Sequence, residues 1–161
     1  NDAQPRSLPK IANATFIGRP DTTGATLRRG TGANITNAIF SGFGKCLDID
    51  SDATFAAAGS PDALSGTLTI QNSIVNCATN FDEEDGDAWS VAAWFNAAGS
   101  NQELDPALEN VLFPPANADY LQGAELDRVR FGAFFQNLGH IGAFGEGHVW
   151  TAGCTLQNFN R

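Results

Sequence analysis

Three segments of the chain repeat one pattern: I-A-N-A-T-F-I-G (residues 11–18), I-T-N-A-I-F-S-G (residues 35–42) and I-Q-N-S-I-V-N-C (residues 70–77). Each segment starts with isoleucine, has asparagine third and has phenylalanine or valine sixth. The first two segments start 24 residues apart, and the last two start 35 residues apart. A period in the twenties, made of strand-forming residues, predicts a solenoid, because one coil cannot bury its apolar side chains alone.

Stacked coils place like residues above like, so the repeat predicts which side chains meet. Asparagine suits a bend, because it tolerates the left-handed conformation and its amide can hydrogen-bond to its copy in the next coil. The alternative is that three strands of a β-sandwich share the pattern by chance. The solenoid predicts two internal columns and one column of bends, which are Ile11, Ile35 and Ile70, then Phe16, Phe40 and Val75, then Asn13, Asn37 and Asn72.

The stretches between the repeats predict further strands and one excursion. Residues 25–28 are predicted to form a strand, and residues 45–50 alternate apolar and polar side chains, as a half-buried strand does. Residues 51–66 are rich in Ala, Gly, Ser and Pro, so they should leave the coil as a loop or a short helical turn. We therefore expect coils at residues 11–81, after an N-terminal extension at residues 1–10.

Beyond the coils, the sequence predicts an acidic turn, one helix and a C-terminal cap. The helix should span residues 88–98, with Asp85 and Asp87 near its positive N-terminal end. Terminal coils of a solenoid need a cover, so we assign that role to residues 82–161 within a single domain of residues 1–161. Two late strands are expected in this region, at residues 131–136 and 140–144.

Charge and composition limit the partners. Eighteen acidic and nine basic side chains give a formal charge of −9, which repels DNA and RNA. We therefore expect no nucleic-acid partner. No apolar run approaches the roughly 18–20 residues that a membrane span requires. The chain contains no methionine, so Asn1 is not expected to be a translation start.

The chain contains three cysteines, Cys46, Cys77 and Cys154, so they can form at most one intrachain bridge. Small buried thiols are the first interpretation. The alternative is a Cys46–Cys77 bridge, which requires that neighbouring coils bring these two residues together.

Four blocks of the sequence resemble a family of large secreted or surface-attached bacterial β-helix proteins, mostly uncharacterised. The resemblance implies a right-handed parallel β-helix, and it implies that this chain is the C-terminal end of a longer protein. It carries over no catalytic residue. Cys154 departs from the family, which usually has Trp there. The blocks are I-A-N-A-T-F-I-G, G-A-T-L-R-R-G-T-G-A-N-I-T-N-A-I-F-S-G-F (residues 24–43), A-W-F-N-A-A (residues 93–98) and I-G-A-F-G-E-G-H-V-W-T-A-G-C-T (residues 141–155).

Pattern and resemblance together predict an all-β fold, a right-handed parallel β-helix of few coils with a short helix and C-terminal capping loops and strands. Two acidic clusters are candidate structural calcium sites, because clustered oxygen ligands suit this hard cation. A solvated acidic surface is the alternative for both. The first cluster alternates along a strand, so its members should share one face if the strand continues. The candidate ligands are Asp48, Asp50 and Asp52 in the first cluster and Asp82, Glu84, Asp85 and Asp87 in the second.

Other residue patterns give weaker indications of chemistry. His140, His148 and Glu146 could form a metal site, but the helical spacing of zinc enzymes is absent. Alternating aspartates about 7 Å apart would suit an inverting glycosidase. Arg28, Arg29 and Lys45 could supply the basic residues that a lyase needs, but they are three scattered side chains.

The sequence favours a non-enzymatic extracellular or cell-surface module with a structural or interaction role. The alternative is part of a carbohydrate-active β-helix enzyme, a polysaccharide lyase or hydrolase. The first coil should present an unpaired strand edge, and such edges invite pairing. We expect this edge to be covered by the upstream part of the same polypeptide, by another protein chain, including a copy of itself, or by residues 1–10.

Overall fold

The computed structural model describes residues 4–109, 113–115 and 118–145, and its strands form two parallel sheets. The chain passes from one sheet to the other and back, so each coil contributes to both. This arrangement is a parallel β-helix, as predicted. The first sheet contains β1 (Lys10–Ile17), β3 (Ala33–Ser41), β5 (Leu68–Gln71), β6 (Ile74–Asn76) and β8 (Gln102–Glu103). The second sheet contains β2 (Thr23–Arg28), β4 (Lys45–Asp50) and β7 (Thr79–Asp82).

The register confirms both predicted apolar columns. Ile35 pairs with Ile11 on one side and with Ile70 on the other. Phe40 lies in the same way between Phe16 and Val75. The rings of Phe16 and Phe40 stack with centroids 4.7 Å apart. Because every coil adds its side chains to these columns, the core runs along the axis of the β-helix.

The predicted column of bends is also confirmed, and we call Asn13, Asn37 and Asn72 the asparagine ladder. All three residues have positive φ, at 52°, 57° and 46°. The amide of Asn72 donates from Nδ2 to Asn37 Oδ1 at 2.7 Å, so these two copies bond to each other. Asn72 also separates β5 from β6, because the strand bends there. Asparagine supplies both the unusual backbone angle and the bond between coils.

Residues 51–66, where the sequence predicts an excursion, contain the helix α1 (Asp52–Ala58). Its side chains Phe55 and Ala58 are buried against the core. The excursion therefore extends the core sideways.

A second helix, α2 (Val91–Ala97), covers one end of the β-helix. It is shorter than the predicted span of residues 88–98, because Ser90 caps its N-terminus and accepts a hydrogen bond from Ala93 N. Val91, Trp94 and Phe95 are buried, and Phe95 packs on Phe81 of β7 with ring centroids 5.2 Å apart. None of the helices in the described residues is long and apolar enough to cross a membrane.

We call residues 118–145 the flanking segment, because they lie along the side of the first sheet, where Gly142 N donates to Asn37 O. The segment contains a 3-10 helix (Asp119–Leu121) and a short helix α3 (Arg128–Phe131). The strands predicted at residues 131–136 and 140–144 are wrong. Gly132 has φ +79° and ends α3, and the β-pairing of residues 140–144 that the structure describes is an isolated bridge from His140 to Gln122.

The other end of the β-helix consists of β1 and β2, the terminal strands of the two sheets. All of β3 up to Phe40 is buried, whereas β1 is only half-buried. The N-terminal residues before β1 extend its coil alongside β3, since Gly32 N donates to Ser7 O and Asn34 N donates to Pro9 O. Among the described residues, this end therefore lacks a neighbouring coil.

Candidate functional site

The outer face of the second sheet brings charged side chains of neighbouring coils together. Asp48 of β4 lies beside Thr26 of β2 and Asp82 of β7 in the register. Lys45, at the start of β4, forms an ion pair with the Asp82 carboxylate. The structure thus places one member of each predicted acidic cluster, Asp48 and Asp82, on adjacent strands beside an ammonium group.

Asp48 is the carboxylate of this group that the environment perturbs most clearly. Partial burial raises its pKa above the ordinary value, and the negative charges of Asp82 and Asp50 raise it further. A hydrogen bond from Thr26 and the charge of Lys45 act in the opposite direction. A carboxyl with a raised pKa beside a second carboxyl group is an arrangement that acid–base chemistry uses.

The pKa of Lys45 is raised, and its hydrogen bond to Asp82 is the largest cause. The negative charges of Asp82, Asp48 and Glu84 add to this effect, and desolvation opposes it. Lys45 therefore remains protonated and serves as the local counter-ion of the two aspartates.

Of the other two members of the first cluster, Asp50 stays on the same strand as Asp48, and Asp52 does not. Asp50 ends β4 beside Arg28. The strand does not continue past it, because Ser51 has φ +78° and Asp52 begins α1. The expectation that all three aspartates share one strand face is wrong for Asp52.

The second acidic cluster has structural partners within its own turn. Asp87 Oδ2 accepts a hydrogen bond from Glu84 N at 2.9 Å. The helix N-terminus is held by Glu83, which accepts from Val91 N at 3.1 Å, Ala92 N at 2.9 Å and Ser90 Oγ at 2.9 Å. This corrects the sequence analysis, which gave that position to Asp85 and Asp87. The capping role of Glu83 was not predictable from the sequence, because Glu83 lies eight residues before Val91.

Within the part of the chain that the structure describes, no three His, Cys, Asp or Glu side chains are grouped so that they could hold a metal ion. Calcium binding at the two acidic clusters remains a prediction. Of the proposed histidine site, His140 lies in the flanking segment, and His148 and Glu146 lie outside the described residues. Of the three basic residues, Lys45 joins the aspartates, Arg28 lies beside Asp50, and Arg29 bonds from its backbone N to Ser51 Oγ.

Of the two interpretations of the cysteines, the structure supports the bridge between coils. Cys46 and Cys77 form a disulfide with their Cα atoms 5.5 Å apart. The first interpretation, small buried thiols, is wrong for this pair. The bridge ties β4 to the turn that follows β6. Cys154 lies outside the described residues.

The stacked parallel strands define the class of protein, and the comparisons define the family. A family model described as a pectate-lyase-like β-helix domain matches residues 1–107, more than half of the chain. The chain therefore belongs to this family. Neither the curated proteins nor the solved structures gave a match. The match ends before the flanking segment, so the matched region contains the β-helix and the helix α2 that covers its end.

Proposed function

We propose that the chain is a non-enzymatic structural or interaction module, secreted or held at the bacterial cell surface. In this proposal it is the C-terminal part of a longer right-handed β-helix and contributes its last few coils. The observation that carries the proposal is the end formed by β1 and β2. That end repeats the columns of the coils behind it and lacks a neighbouring coil among the described residues.

The geometry of this end suits a further strand pairing in parallel. A strand in a parallel sheet directs its backbone groups to both sides, and β1 has a described partner only in β3. Phe16 stacks one face of its ring on Phe40, so the opposite face points toward the end. We propose that the upstream part of the same polypeptide, or another chain, including a second copy, supplies the covering strand.

The location is supported by the disulfide. Bridges such as Cys46–Cys77 persist in oxidising compartments and are rare in the cytosol. The acidic surface would keep such a β-rich module soluble. Structural calcium at the acidic clusters remains part of the proposal. Calcium should then raise the unfolding temperature more than magnesium does, and an equal effect of the two cations would contradict it.

The test compares the end of the β-helix with its middle. In the isolated chain, amide hydrogens of β1 should exchange much faster than those of β3. Adding a second copy of residues 7–30 directly before Ser7 supplies a coil of matching period, and β1 should then become protected. Equal protection of β1 and β3 in the original chain, or an added coil that leaves β1 exchange unchanged, would contradict the proposal.

A carbohydrate-active enzyme is the second candidate function, and one observation favours it. Asp48 and Asp82 lie on adjacent strands with Lys45, and the pKa of Asp48 is raised by its burial. Cleavage of an acidic polysaccharide such as polygalacturonate should then be abolished by Asp48→Asn, with Asp62→Asn as the control on an exposed turn. Unchanged cleavage in Asp48→Asn, or no cleavage by the original chain, would eliminate this site as a catalytic one.

A further inference from the structure

The asparagine ladder holds the flanking segment by its backbone. Asn37 donates from Nδ2 to Ala124 O at 2.9 Å and accepts at Oδ1 from Ala124 N at 2.9 Å. One side-chain amide thus pairs with both polar backbone groups of one residue, as a neighbouring strand would. Asn72 Nδ2 donates to Gln122 O at 3.0 Å, and Asn13 Nδ2 donates to His140 O. The whole ladder therefore faces the same segment.

Two backbone amides and one arginine of the segment add further polar contacts. Gly142 N donates to Asn37 O at 2.8 Å, and Ala143 N donates to Thr15 Oγ1 at 2.9 Å. Arg130 Nη1 donates to Asn34 Oδ1 at 3.1 Å. Most of these bonds involve backbone atoms of the segment, so the ladder holds the segment mainly by its main chain.

Apolar anchors and one glycine give this recognition a sequence preference. Leu121 and Ile141 are buried against Ile39 and Ile74 on the outer side of the first sheet. Gly142 has φ +88°, and a Cβ there would lie 2.8 Å from both Ile39 Cδ1 and Thr15 Oγ1. A larger residue at position 142 would push the segment away from the sheet.

The described residues that lead from the β-helix to the flanking segment contain little regular structure. Between β8 and Asp119, the described residues include only an isolated bridge, from Glu109 to Phe113. Detaching the segment would therefore break the contacts above without breaking a sheet.

We infer that the outer side of the first sheet along the asparagine ladder is a peptide-docking groove, and that the flanking segment of a second copy takes the place of the chain's own. A second copy is the occupant that the structure favours, because it offers the same anchors, the same glycine and the same backbone bonds. The segment has a net charge of only −1, from Asp119, Glu125 and Asp127 against Arg128 and Arg130. Charge repulsion should therefore oppose the exchange only weakly.

Two complementary variants test the exchange in the full-length chain. Ile141→Asp destroys an anchor of the segment and leaves the groove intact. Asn37→Gly removes the amide from the groove, keeps the positive φ acceptable and leaves the segment intact. Each variant alone should be monomeric by native mass spectrometry. Mixed together, they should form a 1:1 dimer, because the groove of the first accepts the segment of the second.

A labelled peptide of residues 118–145 measures the groove directly. It should bind the Ile141→Asp chain at least about tenfold more tightly than the original chain, whose own segment competes. The same peptide carrying Ile141→Asp should not bind. If Ile141→Asp fails to fold, Gly142→Ala weakens the segment in its place.

Three results would overturn the inference. A folded Ile141→Asp chain that does not bind the peptide would show that there is no groove. Equal binding when the chain also carries Asn37→Gly would show that the ladder is not the recognition element. Peptide binding without a mixed dimer would show that copies of the chain do not exchange their segments.

Discussion

In the β-helix, each coil is held by apolar copies of itself, whereas the flanking segment is held mainly by polar contacts to the coils. Ile35 lies between Ile11 and Ile70 in the first case. In the second case, the Asn37 amide pairs with the backbone of Ala124, 87 residues further along the chain. The two regions therefore respond to different substitutions.

The difference predicts two levels of stability. The columns inside the β-helix bury large side chains completely, and removing one leaves a cavity that every neighbouring coil shares. The segment buries fewer apolar groups, so its loss should be a local opening that leaves the sheets intact.

The largest expected effect is in the column that runs through the coils. Phe40→Ala should lower the free energy of unfolding by about 3–5 kcal/mol, because the Phe40 ring is fully buried between its neighbours. Urea denaturation measures this loss. Leu121→Ala is the matched change in the segment, and it should mainly accelerate amide exchange in residues 118–145. Equal losses of global stability in both variants would contradict the two-level picture.

Loss of the disulfide should have the second-largest effect on the free energy of unfolding. Replacing Cys46 and Cys77 by serine should lower the free energy of unfolding by about 3–4 kcal/mol, because the bridge closes a loop between residues 31 apart in sequence. Calorimetry with and without reductant checks this. Reductant should lower the unfolding temperature of the original chain and leave that of the double variant unchanged, and a shift in the double variant would assign the effect to something else.

Asn37→Gly should have a smaller effect, and a local one. The substitution keeps the backbone angle but leaves the Ala124 backbone groups without their partner, which costs about 1–3 kcal/mol for the attached segment. Amide exchange near Ala124 should accelerate accordingly. Asn13→Gly, at the end of the ladder, is the matched control and should release residues near His140 only. Faster exchange throughout β3 would show that the ladder supports the sheet itself.

The same difference between the β-helix and the flanking segment explains which contacts could be predicted from the sequence. The columns and bends were predictable because the coils repeat Ile, Asn and Phe at fixed positions, and repetition in the sequence becomes contact in space. The contacts of Asn37 with Ala124 were not predictable, because they use backbone atoms and leave no residue pattern. The strand predicted at residues 131–136 is wrong because Gly132, with positive φ, turns the chain after Phe131.

The candidate site was predictable only in its residue types. Asp48 and Asp82 stood out as members of acidic clusters, but their pairing depends on the register of β4 and β7. The excursion at residues 51–66 obscures that register in the sequence. Lys45 stood apart from both clusters in the sequence, and only the stacked coils place it beside Asp82.

The smallest expected effect is the pH dependence that Asp48 contributes. Its pKa is raised in the folded state above the ordinary 3.8, so the folded protein holds this proton more tightly than the unfolded chain does. The residue therefore favours folding most at low pH, and its contribution falls as pH rises from about 3.8 through the raised pKa. Asp48→Asn should remove that fall, so the variant should gain stability relative to the original chain as the pH rises across this range. Chemical denaturation at a series of pH values measures the gain.

Asp48 lies on the second sheet and the flanking segment lies on the first, so amide exchange in residues 118–145 should not change with the substitution. A stability difference that stays constant with pH would mean that Asp48 does not titrate across the folding transition.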